Sequence, residues 1–439
     1  MELVTTLVLA AAALCAVFVA FVVVRAAPRL TVVLWSLVLF FVPIWVGVNL
    51  GPFWSLVTLT TILAIASCSR MLAVSPADGL IAGFVLLIVG QFALGLTSLS
   101  GLVIALSEWV LPFVWGRLVL TRVTARFLIQ VLAVIAVIAA ALAVIESLTS
   151  VNVFVGIPGS APSLFDTWSP LQARGSLIRA EGAFGHSIAL GAVLAMCAAF
   201  ILAAPWRLAL RLLALAVVAV AVAQTLSRIG LITLVITIAL STLVLPQLTA
   251  RARASIAAAG ILGALVIVPF ISDVFLDAGQ EASGSADYRV DLWNIAGVIP
   301  LFGSAPDIGG LTVDGQYLGV FAKSVDNAVL VSAMRVGWVP TVLLLSVLVF
   351  AILPLVRGGA NAASVAVAAQ LPGMFTVAWI TQYAVFFWFS VGLAVAMGAA
   401  RREEQVTDSL AVIGGSAAPL IGWEAGSARI AAGPSGGGR

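Results

Sequence analysis

Charge is what this chain has least of. Only 9% of its 439 residues are Asp, Glu, Lys or Arg, and it holds a single histidine, His186, and a single lysine, Lys323. Soluble globular domains carry about 25% charged residues, so a water-soluble enzyme is excluded. Cysteine is also scarce: Cys15, Cys68 and Cys197 lie in apolar runs with no CxxC or paired spacing. That pattern excludes a disulfide framework or cysteine metal site and leaves packing roles. The net charge of +3 is small and most cations flank apolar runs, which argues against nucleic-acid binding. The first apolar stretch lacks a basic start and a small-residue cleavage site, so it reads as a span and not a removable signal peptide.

What the chain has in excess is apolar surface, at 63% of residues and a mean hydropathy of +1.22. A bilayer-spanning helix uses about 20 residues, so this composition supplies on the order of a dozen. Apolar stretches mark spans near 3 to 24, 30 to 48, 54 to 69, 80 to 97, 101 to 116 and 127 to 148. Others follow near 187 to 204, 208 to 225, 229 to 248, 255 to 272, 329 to 354, 362 to 380 and 383 to 400. The expected fold is an all-α polytopic membrane helix bundle of about thirteen spans, 12 to 14 allowing for their ends. Residues 1–404 form the membrane domain, and 405–439, poor in bulky side chains, read as a disordered cytoplasmic tail.

Orientation follows from the retention of Arg and Lys beside short cytoplasmic loops. With the N-terminus outside and the C-terminus inside, Arg25, Arg29, Arg70, Arg117, Arg122, Arg126, Arg207, Arg211, Arg251, Arg253, Arg357, Arg401 and Arg402 share the cytoplasmic side. The exceptions are Arg174, Arg179, Arg228, Arg289, Lys323 and Arg335, which fall outside or near the outer membrane edge. Two connections, 149–186 and 273–328, are too long for simple turns and lie on that outer side. The second carries eight acids, from Asp273 to Asp326, around Arg289 and Lys323. Within it, Asp287 to Leu301 reads as a short amphipathic surface helix, with Leu292, Trp293, Ala296 and Ile299 sharing a face.

Three outer segments concentrate the chemistry. Ser227-Arg228-Ile229-Gly230 sets a guanidinium at the mouth of a helix pair with no acidic neighbour in sequence. Arg matches phosphate oxygens with a planar fork of donors, although a snorkelling Arg at a helix end reads the same way. Arg179-Ala-Glu181 leads through Gly185 to His186, while Asp287-Tyr288-Arg289 opens the surface helix. A helix N-terminus with Arg289 suits a phosphate, the alternative being an ion pair to Asp287 or Asp291. His186 is more often a hydrogen-bonded structural residue than a base. Asp326-Asn327, followed by Arg335 and Gly337, offers a carboxylate to take a hydroxyl proton, or only a helix cap. Inside a span, Glu108 serves either a site or a packed polar contact.

In this order and topology, these segments resemble the O-antigen ligase and polymerase family of bacterial membrane glycosyltransferases. The matching residues are Ser227-Arg228 with Gly230, Tyr288-Arg289 through Trp293 and Pro300-Leu-Phe-Gly303, and Asp326-Asn327 with Leu330 and Gly337, within residues of about 30 to 400. The resemblance implies transfer or polymerisation of a polyprenyl-diphosphate-linked glycan onto an acceptor sugar hydroxyl at the outer face of the cytoplasmic membrane. It maps the family's functional arginines to Arg228 and Arg289. Lipopolysaccharide ligases of the family usually carry His-Asn where this chain has Asp326-Asn327, which favours a polysaccharide polymerase or a ligase for another acceptor.

The residues fit that chemistry. A diphosphate leaving group gains negative charge in the transition state, which fixed guanidiniums stabilise. Arg228 and Arg289 form the expected clamp, with Arg179 and Arg335 as weaker additions, and Asp326 the base with His186 or Glu181 as alternates. Tyr288 and Asn327 complete the expected substrate contacts. No DxD motif is present, so a metal-held nucleotide-sugar donor has no evident ligands, and neither metal nor cofactor is expected. Expected partners are the lipid-linked glycan, an acceptor glycan or lipid and membrane lipids, with a flippase and a chain-length regulator as candidate proteins and no nucleic acid. The rival readings are a secondary transporter or lipid-linked glycan flippase, and a noncatalytic scaffold. A transporter holds substrate near the midplane, where this chain offers only Glu108 and Gln91.

Overall fold

The computed structural model describes residues 15, 17–68, 74–174, 177–277, 292–305, 312–313, 316–317 and 325–415. These residues are mostly helical, with only two-stranded β-ribbons besides. In chain order the helices are α1 Val17–Ala26, α2 Pro28–Phe41, α3 Leu56–Ala66, α4 Pro76–Ala93, α5 Leu99–Thr121 and α6 Ala125–Thr149. Next come α7 Pro162–Trp168, α8 Ser187–Ala203, α9 Leu208–Gln224, α10 Arg228–Val244 and α11 Ala250–Asp277. The last are α12 Ala328–Val336, α13 Trp338–Val356, α14 Ala362–Gln370 and α15 Thr381–Gly415. The final helix passes Glu404, where the sequence reading begins its tail, and 416–439 lie outside the described residues.

By length and apolar composition α4, α5, α6, α13 and the first part of α15 can each cross a membrane. The pair α1 and α2 makes a sixth if its 119° bend lies within one span. Other expected spans are helices that stop short. α8, α9 and α10 have 17 residues each. At about 1.5 Å per residue they reach about 26 Å, below the hydrocarbon thickness of about 30 Å. Polar caps set two of these limits: the His186 side chain accepts from the Ile188 amide and Ser227 Oγ from the Gly230 amide. The stretch expected near 30 to 48 ends at Phe41, and the chain then turns into an antiparallel ribbon of β1 Gly47–Asn49 and β2 Phe53–Ser55.

α8 is the centre of the bundle. From Ala189 to Leu202 every residue is buried, and Ala189, Gly191, Ala192, Ala195, Ala198 and Ala199 keep its surface low. Small residues let helix backbones approach closely without an apolar driving force between helices. Gly191 meets Gly230 of α10, where an added Cβ would lie 3.3 Å from the facing Cα. α15 crosses α5 more closely still, because a Cβ on Gly116 or Gly392 would collide with the carbonyl oxygen of Phe389 or Phe113. Leu86, Ile145, Leu213, Val235, Leu265 and Val349 point outward from the peripheral helices, an apolar exterior suited to lipid.

Arginines close one end of the bundle. Arg117 at the end of α5 forms a two-pronged ion pair with Asp78 at the start of α4, both contacts 2.8 Å, and Asp78 in turn caps α4 through the Ser75 amide. Arg122 donates to the carbonyls of Ser67, Val24 and Arg25, and Arg253 to those of Thr242, Leu243, Leu245 and Leu248. Each gathers carbonyls at or just beyond the end of a helix, where the negative end of the helix dipole favours a cation.

Candidate functional site

The opposite end holds the long connection between α6 and α8. Glu146, near the end of α6, is buried and accepts from the backbone amides of Glu181 and Gly182 at 3.0 and 2.8 Å, and from Asn152 Nδ2 at 2.9 Å. Burying a carboxylate is unfavourable unless such donors surround it, so Glu146 fixes where the Arg179–His186 segment runs. Gln172 carries the network onward. Its amide donates to Glu181 Oε1 at 3.0 Å, and its side-chain oxygen accepts from Arg179 and from Ser187 Oγ at 3.2 and 3.3 Å.

This network grips the turn between α9 and α10. Arg179 Nε donates to the Thr225 carbonyl at 3.0 Å, and Arg174 donates to the Leu226 carbonyl at 2.8 Å. Leu226 lies in the left-handed region at φ 49°, a conformation L side chains resist. Two guanidiniums on successive carbonyls hold it there. Arg228, the first residue of α10, projects from the same turn and is exposed, whereas Ser227 beneath it is buried as the helix cap. Burial, reinforced by Arg174, pushes the Arg179 guanidinium down to about 10, while Glu181 and Asp326 act in the other direction. It remains a cation at neutral pH, and Asp326 lies within its electrostatic reach.

The expected site residues thus take different places. Arg228 and Asp326 stand at the surface of the turn cluster, exposed and half-buried respectively. Arg179 is nine-tenths buried and donates to the Thr225 carbonyl and to Gln172, so it supports the turn from beneath. Glu181 is fully buried on the Gln172 amide, and His186 caps α8 with its ring edge against Trp168 at 5.9 Å. Asn327 caps α12 through the Leu330 amide at 3.0 Å and reaches the Phe375 carbonyl. Tyr288 and Arg289 lie outside the described residues, as does Lys323. Of the expected surface helix, Leu292–Val298 is a 3-10 turn. Its tighter winding buries Leu292, Ile295 and Ile299 and leaves Trp293 exposed, in place of the expected face.

Arg335 is elsewhere. It faces a cavity of about 430 Å³ that Glu108 also lines, together with Trp168, Trp379 and Thr381. Trp379 and Thr381, like the Glu146, Asn152 and Gln172 network, carry no signal in the sequence that singles them out. Three glycines of the matched segments do have a steric reason. Gly230 receives Gly191, Gly303 turns at φ 88° against the Leu96 carbonyl, and Gly337 turns at φ 87° against Leu301. Among the described residues no three His, Cys, Asp or Glu side chains gather as a metal-ligand set. Compared with protein-family models, curated proteins and solved structures, the chain finds no match.

Proposed function

We propose that the chain is a multi-pass glycosyltransferase of the O-antigen ligase and polymerase type, working at the outer face of the cytoplasmic membrane. Its donor is a polyprenyl-diphosphate-linked glycan. The observation that carries this reading is the continuity between Arg228 and an apolar groove on the same helix. A groove of about 750 Å³ runs between α9, α10 and α11, lined by residues such as Leu215, Leu231, Val235, Ile238 and Leu262. Gly260 and Gly263 of α11 leave room there, with open space where their Cβ atoms would be. The groove begins at Leu231, one turn below Arg228, and reaches Ile238, about 10 Å further along the helix. A cation above an apolar channel fits an anionic headgroup above an isoprenoid chain.

In the reaction, an acceptor hydroxyl oxygen bonds to the anomeric carbon of the donor sugar as that carbon's bond to the diphosphate oxygen breaks. The electron pair leaves with the polyprenyl diphosphate, and the hydroxyl proton passes to Asp326. Arg228, with Arg289, stabilises the charge that grows on the leaving group. Arg174 and Arg179 hold the turn that presents Arg228, and the short helices of the bundle belong to a membrane domain of about thirteen spans.

Reconstitution with a polyprenyl-diphosphate oligosaccharide, with and without a chelator, tests this reading. A product ladder indicates polymerisation and a single addition indicates ligation. Arg228→Ala at normal abundance is expected to abolish either, and unchanged polymer assembly in that variant counts against the clamp.

A further inference from the structure

The cavity beneath Glu108 and Arg335 is built unlike the rest of the bundle. Glu108 sits in a π-helical turn, Ala105–Val110, that interrupts α5; such turns are rare and recur at functional sites. Arg335 lies on the other wall, and the two charges attract each other without closing to a salt bridge or finding another hydrogen-bond partner among the described residues. Thr381 begins α15 at φ 47°, a left-handed conformation that a β-branched residue adopts only when its surroundings impose it. Thr381 and the neighbouring Trp379 both line the cavity, although Thr381 Oγ1 and Trp379 Nε1 themselves are closed off from its open space. Polar groups in a partly dry site are disfavoured until they are paired, so a cavity that sets a carboxyl group and a guanidinium on facing walls without joining them is shaped for a ligand that supplies the partners.

We propose that this cavity binds a sugar ring of the acceptor glycan, with Glu108 and Arg335 hydrogen-bonding its hydroxyls and Trp168 covering a face. A pyranose offers hydroxyls that both donate and accept, which suits a carboxylate and a guanidinium at once. Its C–H faces suit the apolar remainder of the wall, Ile44, Val103 and Leu164. The role as acceptor rests on the glycan-transfer reading, whereas the binding of a sugar does not. Trp168 joins this cavity to the Arg228 side of the protein, because it also packs against His186.

The test uses the full chain in detergent micelles and saturation-transfer NMR with the methyl glycosides of glucose, galactose, mannose, rhamnose and N-acetylglucosamine. Glycine betaine serves as a zwitterionic control. At least one glycoside is expected to bind, Glu108→Gln and Arg335→Gln each weakening it at least fivefold. In the unmodified protein the same glycoside is expected to protect Glu108 from carbodiimide labelling read by peptide mass spectrometry, a measurement that needs no variant to fold. No saturable binding by any glycoside, binding undiminished in both variants, or protection by betaine alone overturns the proposal. Retained glycoside binding in Arg228→Ala together with retained transfer overturns the diphosphate clamp and leaves this site standing.

Discussion

The two ends of the bundle use arginine in opposite ways. At one end Arg117, Arg122 and Arg253 are spent on a carboxylate or on helix carbonyls. At the other end Arg174 and Arg179 do similar work on the Thr225–Leu226 turn, but Arg228 is exposed and Arg335 faces a cavity. The difference separates buried guanidiniums that hold the fold from guanidiniums that reach the surface or a cavity. Substitutions at Arg117, Arg122, Arg253, Arg174 and Arg179 should therefore lower stability, and those at Arg228 and Arg335 should weigh more on turnover.

The largest effect is expected at Arg228. Removing a group that stabilises charge growing in a transition state costs about 10²–10³-fold in rate, so Arg228→Ala should lose at least 100-fold in glycan transfer per folded molecule. Asp326→Asn sharpens the same contrast. Transfer should fall to background while binding of the lipid-linked donor stays, because charge at the diphosphate is unaltered; normal turnover would reassign the base. Glu146→Ala breaks the contrast deliberately, since it lies at the loop end yet serves the scaffold. It strands two buried amides and Asn152, and should destabilise by about 3 kcal/mol, read as a lower midpoint in detergent unfolding. Arg117→Ala leaves Asp78, which is partly exposed, without its partner and should cost about 2 kcal/mol while sparing transfer per folded molecule. Asn327→Ala removes one cap and should cost about 1 kcal/mol, the smallest of the set.

The sequence made the long apolar helices legible, because α4, α5 and α6 show themselves by length alone, whereas the single span expected near 329 to 354 is broken at Gly337 into α12 and α13. Segments whose shape depends on partners distant in the chain were hidden. The β1–β2 ribbon replaces an expected stretch of span, with Trp45 and Asn49 bonded to backbone more than a hundred residues away. The π turn at Glu108 and the left-handed Leu226 and Thr381 leave no mark in composition, since each is imposed by tertiary packing. At the site, Arg228 stood out because it is a cation on the wrong side of a regular pattern. Glu146 did not, because an acid one turn from a helix end reads as solvated until Glu181 and Gly182 are seen to fold onto it.

α8 has neighbours on every flank, so it never borders the acyl chains. Its short length is therefore no mismatch to the bilayer. Membrane thickness can act on the Arg228 turn through the outward-facing α9 and α10, and lipids of different chain length should tune this protein through those two helices.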